Sequence, residues 1–193
     1  MPVWPKSAVR VAFGLIWAVD AAFKWRSGFR HEFLHMIKQA GEGQPAWLHW
    51  WFAFWSGVIT PHPQVWAYGV AVVETLIALA IIFGFARKLT YIVTILTALM
   101  IWGVAEGFGG PYTASSTDIG AACIYAVVGF ALLVLNLETG SSRYSVDYLI
   151  EKRVSWWHWI AEFGAHNHPA PGERASDLPT PAFDPSTPVP TMS

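Results

Sequence analysis

The side chains able to do chemistry here are a few ionisable groups set in apolar surroundings. Asp20 and Lys24 stand four apart in SAVRVAFGLIWAVDAAFKW, which places them on one helical face within pairing reach. Glu74 is the single charge between Val65 and Ala86. Glu106 and Asp118 bracket the segment EGFGGPYTASSTD. Ionisable groups inside or at the ends of apolar spans are costly in lipid and are functional candidates by default. Asp20, Lys24, Glu74 and Asp118 are therefore the candidate catalytic residues, suited to proton exchange. Glu74 is the hardest to explain structurally, because no neighbour in the sequence neutralises it. The structural alternative is that Lys24 simply pairs with Asp20, and that Asp118, after Ser115, Ser116 and Thr117, caps the following helix.

A second group surrounds the glycines. Glu106-Gly-Phe-Gly-Gly-Pro-Tyr112 is a tight loop whose glycines permit close approach and whose amides are suited to an oxyanion. With Arg26, Arg30 and the nearby aromatics, it suggests a site for an anion or a quinone head group. The substrate-binding candidates are Arg26, Arg30, Glu106, Gly109, Gly110 and Tyr112. A compact connection between two helices explains the same glycines. His31 and His35 have the i, i+4 spacing of paired imidazole ligands, and Glu32, His49 and His62 are available to complete a set. Such pairs are common on exposed helices, so no metal ligands are assigned. No span holds a histidine for bis-histidine haem ligation. Cys123 reads as a small packing residue.

These groups need a scaffold, and the composition says which solvent it faces. Apolar residues make up 54% of the 193 and charged residues 13%, where a soluble globule carries about 25% charged. Twelve tryptophans, six tyrosines and twelve phenylalanines suit membrane interfaces. A net charge of −1 excludes a sequence-independent grip on nucleic acid. One cysteine excludes an internal disulfide, CxxC redox chemistry and all-cysteine metal sites.

Four stretches approach the roughly 20 residues a membrane helix needs: 7–25, 65–86, 89–104 and 119–137. The expected fold is an all-α membrane protein, a four-transmembrane-helix bundle over residues 1–143. Arg87 and Lys88 make a tight turn, so the middle spans form an antiparallel hairpin. Lys6, Arg10, Arg87, Lys88, Arg143, Lys152 and Arg153 put both termini on the cytoplasmic side. Arg26, Arg30 and Lys38 in the first outer loop run against that rule. The candidate acids and Lys24 then converge on the outer half of the bundle, with Asp20 roughly 7 Å below the boundary at about 1.5 Å per residue. Lys6, Arg10 and VAFGLIWAV also resemble a signal peptide. Asp20 just before the cut disfavours cleavage, so the first span is expected to remain.

The outer loop predicts two further helices. FRHEFLHMIKQ places Phe29, Phe33, Met36 and Ile37 on one face, and PAWLHWWFAFWSGVI reads as a membrane-surface or re-entrant helix stopped by Pro61 and Pro63. Residues 144–165 predict an amphipathic interfacial helix, with Asp147, Glu151, Ser155, His158 and Glu162 in one exposed polar stripe. Residues 166–193, rich in proline, are expected to be disordered.

The segments GLIWAVDAAFKW, VVETLIALAIIFGFARK and especially AEGFGGPYTASSTDIGAACIYAVV resemble the DoxD/DoxX family of small four-helix membrane proteins, closest to DoxD. The resemblance covers roughly residues 7 to 138. It implies a subunit of a thiosulfate:quinone oxidoreductase in the prokaryotic cell (inner) membrane, with quinone as electron acceptor and a DoxA-like partner. In that setting Arg26, Arg30 and Lys24 attract the dianion, and Asp20, Glu74 or Asp118 exchange protons with quinone. Two other classes stay open. One is a non-catalytic anchoring or assembly subunit of a larger respiratory complex. The other is a small anion or proton carrier, which at four spans calls for a homo-oligomer.

Overall fold

The computed structural model describes residues 4–113, 116, 118–139 and 145–161. The chain divides into a unit Met1–Phe163 and a second unit Gly164–Ser193. The second unit, with the proline-rich tail, lies outside the described residues, as does Arg143. The described residues are all-helical, with no strand among them. The helices are α1 (Trp4–Lys24), α2 (Ser27–Ala40), α3 (His49–Ile59), α4 (Pro63–Phe83), α5 (Arg87–Val104), α6 (Ala121–Thr139), α7 (Val146–Glu151) and α8 (His158–Ala161).

Pro63 opens α4, where a missing N–H is harmless. Gly84 closes it in the left-handed region (φ 65°), with Phe85 N–H on Ala80 O and Gly84 N–H on Ile81 O. A side chain at Gly84 would also strike Arg10 and Ser145. Ala86 is left-handed as well (φ 46°) and leads straight into α5. The expected hairpin of the two middle spans is thus present. α1 lies along α4, and α5 along α6. Gly14 makes the first contact close, since a Cβ there would lie 2.7 Å from Ile82 Cγ1. One core joins all four helices through Phe13, Trp17, Ile77, Ile81, Tyr91, Ala98, Ala126 and Leu132. A second cluster, Phe33, Ile37, Ile59, Ala67 and Val104, fixes α2 and α3 against α4 and the end of α5.

α4 and α5 are long and apolar enough to cross a membrane, and α6 carries a shorter apolar stretch, Ala121–Leu137. Large apolar side chains, among them Leu15, Val19, Leu76, Leu96 and Phe130, are exposed on the outward faces of α1, α4, α5 and α6.

The continuous interfacial helix expected over 144–165 is not formed. Its described part is α7, a turn, a 3₁₀ turn at Ser155–Trp157 and then α8. Asp147 leaves the predicted exposed stripe and is fully buried. Its Oδ1 accepts from Ala86 N (2.6 Å) and Trp157 Nε1 (2.9 Å), and its Oδ2 from Arg87 N (3.0 Å) and Arg87 Nε (2.9 Å). Satisfying the amides at the start of α5 turns the segment back onto the bundle, where Trp157 packs on Phe85 and Asn136 donates to Ala161 O. Trp156 and Trp159 remain exposed.

Candidate functional site

At the other end of α1 the ionisable residues meet an apolar cavity of about 440 Å³. α2 supplies Phe29, Phe33, Met36 and Ile37, the face that the spacing predicts, and α3 supplies Trp55 and Ile59. α4 contributes Trp66, Gly69, Val70, Val73 and Glu74, and α5 contributes Thr97, Met100, Ile101 and Val104. Lys24, Ala105 and Glu106 complete the lining.

Glu74 is fully buried. Among the described residues, neither of its carboxylate oxygens has a hydrogen-bond partner. Lys24 Nζ lies 3.8 Å from Glu74 Oε2, beyond hydrogen-bond range, and donates instead to Asp20 Oδ1 at 3.2 Å. The ammonium also stands 5.3 Å from the Phe29 ring centroid. Trp55, another lining residue, also has a buried polar atom, Nε1, with no hydrogen-bond partner among the described residues. The cavity thus combines an apolar body with a buried carboxylate on its border, the composition of a small-molecule pocket.

Glu106 lines the same cavity and has a second task. Its two oxygens lie 3.2 and 3.0 Å from Ala122 N, so it caps the start of α6 from beyond the end of α5. Burial pushes its carboxyl above the ordinary range, the Ala122 amide opposes that rise, and Asp118 and Asp20 add to it.

Of the four catalytic candidates, the structure brings together Asp20, Lys24 and Glu74. Asp118 is exposed and accepts from Gly120 N (2.9 Å); the capping of α6 itself falls to Glu106. Of the substrate-binding candidates, only Glu106 lines the cavity. Arg26 is exposed over the Phe23 ring, and Arg30 donates to Trp25 O and stacks on Tyr68. Two of the amides expected to bind an oxyanion in the glycine loop are used within it: Gly109 N donates to Glu106 O and Gly110 N to Gly107 O. Gln44 holds the loop by donating to Gly107 O (2.9 Å), while the exposed Tyr112 donates to Phe108 O (2.7 Å). A Cβ at Gly109 would overlap the Ile119 carbonyl, so that glycine serves close packing.

His31 is exposed with Nδ1 on Ser27 O (2.8 Å), and Glu32 and His35 are exposed too. Among the described residues no group of three or more His, Cys, Asp or Glu is placed to hold a metal ion. Sequence reasoning missed Trp55 as a polar wall atom and Asp147 as a buried partner. It also missed Arg10, whose Nη1 reaches Ile81 O (2.7 Å) and Ile82 O (2.9 Å). Arg10 shares its face of α1 with Phe13 and Trp17 at i, i+3, i+7, a charge on an apolar stripe that signals a buried role. Comparison of the chain with protein-family models, curated proteins and solved structures finds no match.

Proposed function

We propose that this chain is a four-span subunit of a thiosulfate:quinone oxidoreductase-like complex in the cell membrane, and that the cavity at Glu74 is its quinone pocket. α1, α4, α5 and α6 are the spans in this reading. Only 33% of the apolar window of α4 and 39% of that of α5 is buried within the protein, whereas the core helix of a soluble protein is mostly buried. The exposed apolar faces of α1 and α6 extend the same surface. α3, with Trp50 and Phe54 turned outward and Trp47 exposed just before it, lies at the head-group level.

The observation that carries the reading is Glu74, a fully buried carboxylate with both oxygens unpartnered on an apolar, aromatic-walled cavity. A membrane quinone fits such a site, since its ring and tail are apolar and its oxygens exchange protons during reduction. Glu74 is the proton-exchanging group and Lys24 its countercharge. Asp20, at one-third side-chain exposure, links the pair to the boundary. Arg26 and Arg30, outside the cavity at the same end, attract the thiosulfate dianion toward a partner subunit.

The test is thiosulfate-dependent reduction of a quinone analogue by membranes containing the chain, with and without a DoxA-type partner. Turnover above vector membranes, falling at least about tenfold in Glu74→Gln, is expected if Glu74 exchanges the proton. No turnover in either condition replaces this reading with an anchoring or assembly subunit.

A further inference from the structure

The cavity is closed on one side and open on another. Four of its lining residues are exposed, Trp66, Gly69, Val73 and Met100, and all of them belong to α4 and α5. The lining residues from α2 and α3 are buried or half-buried. Phe33, Ile37 and Ile59 pack with Ala67 and Val104 in one buried cluster, so the side covered by α2 and α3 is sealed.

The exposed residues follow the helical period. Trp66, Gly69 and Val73 stand at i, i+3 and i+7, on one face of α4. Met100 ends an exposed apolar row on α5 made with Leu89, Val93 and Leu96, at i, i+4, i+7 and i+11. Val65, Val72 and Leu76 extend the exposed face of α4 beside the mouth. The opening is therefore continuous with the apolar outer surface of the two helices. Gly69 makes a notch in its rim, since a Cβ there would meet nothing within 4 Å.

We propose that ligands reach the cavity sideways from the bilayer, and that the site takes a lipid-dissolved molecule whose head lies in the cavity while its apolar chain leaves through the mouth edged by Gly69, Val73 and Met100. Placing lipid outside the mouth and a quinone inside it rests on the functional reading above. Each methylene of the chain favours the bilayer over water by about fourfold, so the membrane supplies such a ligand at high local concentration. Moving the chain from lipid into the mouth then costs little, because lipid tails are as apolar as the rim.

The experiment is equilibrium binding of two benzoquinones with the same ring, one bearing a methyl group and one a hexadecyl chain. The full chain is held in phosphatidylcholine vesicles, and each affinity is referred to ligand concentration in the bilayer. The two affinities are expected to agree within about threefold, since the chain exchanges one apolar surrounding for another. Gly69→Leu and Met100→Trp narrow the mouth and should each weaken the hexadecyl compound at least about tenfold, the scale of an overpacked contact. The methyl compound should keep most of its affinity, which reports that the cavity is still folded. Leu96→Trp, one turn away on the same row but outside the lining, should leave both compounds unchanged.

A hexadecyl affinity at least about tenfold below the methyl one in the parent overturns the proposal, because it means a closed cavity or a mouth sealed by a second copy or a partner's helix. So does the absence of a chain-selective loss in both mouth variants, an equal effect from Leu96→Trp, or no saturable binding. Turnover separates the two ideas. Thiosulfate-dependent reduction with rejection of the long chain breaks only this inference. Chain-tolerant binding that the mouth variants remove, without turnover, breaks only the enzymatic reading.

Discussion

The two ends of α1 lie near two ion pairs, each with a fully buried carboxylate, that are built in opposite ways. Near its N-terminus, Arg87 and Asp147 are 2% and 0% exposed and 2.9 Å apart, and Asp147 also takes two backbone amides and an indole N–H. At its C-terminus, Lys24 and Glu74 are 3.8 Å apart, and Glu74 takes no hydrogen bond from any described residue. The first carboxylate is a clamp. It fixes the left-handed Ala86, starts α5 and holds the segment from Ser145 onward. The second is left open on a cavity. Burial alone therefore does not distinguish the two carboxylates; the occupancy of their lone pairs does.

Breaking each carboxylate should move stability in opposite directions. Asp147→Ala should have the largest effect, a loss of about 3–5 kcal/mol, because it removes from the interior the acceptor of the Ala86 and Arg87 amides, of Arg87 Nε and of the Trp157 indole. Thermal unfolding in detergent reads that loss, and limited proteolysis should begin within 145–161. A loss below about 1 kcal/mol would show that the clamp is incidental. Glu74→Gln should instead raise stability, by about 1 kcal/mol, since it discharges a buried group that takes no hydrogen bond from any described residue while Lys24 keeps Asp20. A large destabilisation there would falsify the contrast by making Glu74 a structural ion-pair member. The expected combination, higher melting temperature with lost quinone reduction, is what an open functional site produces.

The helices and the acidic end were legible in the sequence because both rest on local signals. Apolar runs mark α4 and α5, although the turn between them lies at Gly84 to Ala86 and the expected turn residues Arg87 and Lys88 already belong to α5; the four-residue step from Asp20 to Lys24 fixes their shared face. Glu74 was legible as a lone charge in an apolar run. Asp147 was not, because helical periodicity places it on a polar stripe and only a contact 60 residues away in sequence turns it inward. Asp118 and the glycine loop misled for a related reason. A serine- and threonine-rich run before a helix and a cluster of glycines are strong local patterns, yet Glu106 does the capping and the Gly109 and Gly110 amides are consumed within the loop. Trp55 carried no signal at all, one indole among several in α3.

Smaller effects test the boundary between the open and the closed designs at Glu106, which both caps α6 and lines the cavity. Burial holds its carboxyl above the ordinary range, so the unfolded chain gives up this proton first as pH rises. Over that window the folded state binds more protons, and stability contributed at this site must fall with rising pH, being fullest below the unfolded carboxylate value. Glu106→Gln keeps an acceptor for Ala122 N–H and should flatten that slope in thermal unfolding measured across the acidic range. A slope of the opposite sign in the parent, lost in the variant, would mean that the cap outweighs the burial.

Asp118→Asn should act in the same window with the smallest effect of the set. The amide oxygen still accepts from Gly120 N, so the turn into α6 is kept while one charge near Glu106 is removed. Without that like charge Glu106 ionises more easily, and the fall in stability should shift to lower pH and shrink. Quinone reduction should be unchanged, since Asp118 does not line the cavity. If Asp118→Asn lowers quinone reduction as strongly as Glu74→Gln does, the open site extends to the surface turn, and the division between a satisfied clamp and an unsatisfied pocket no longer describes this end of the protein.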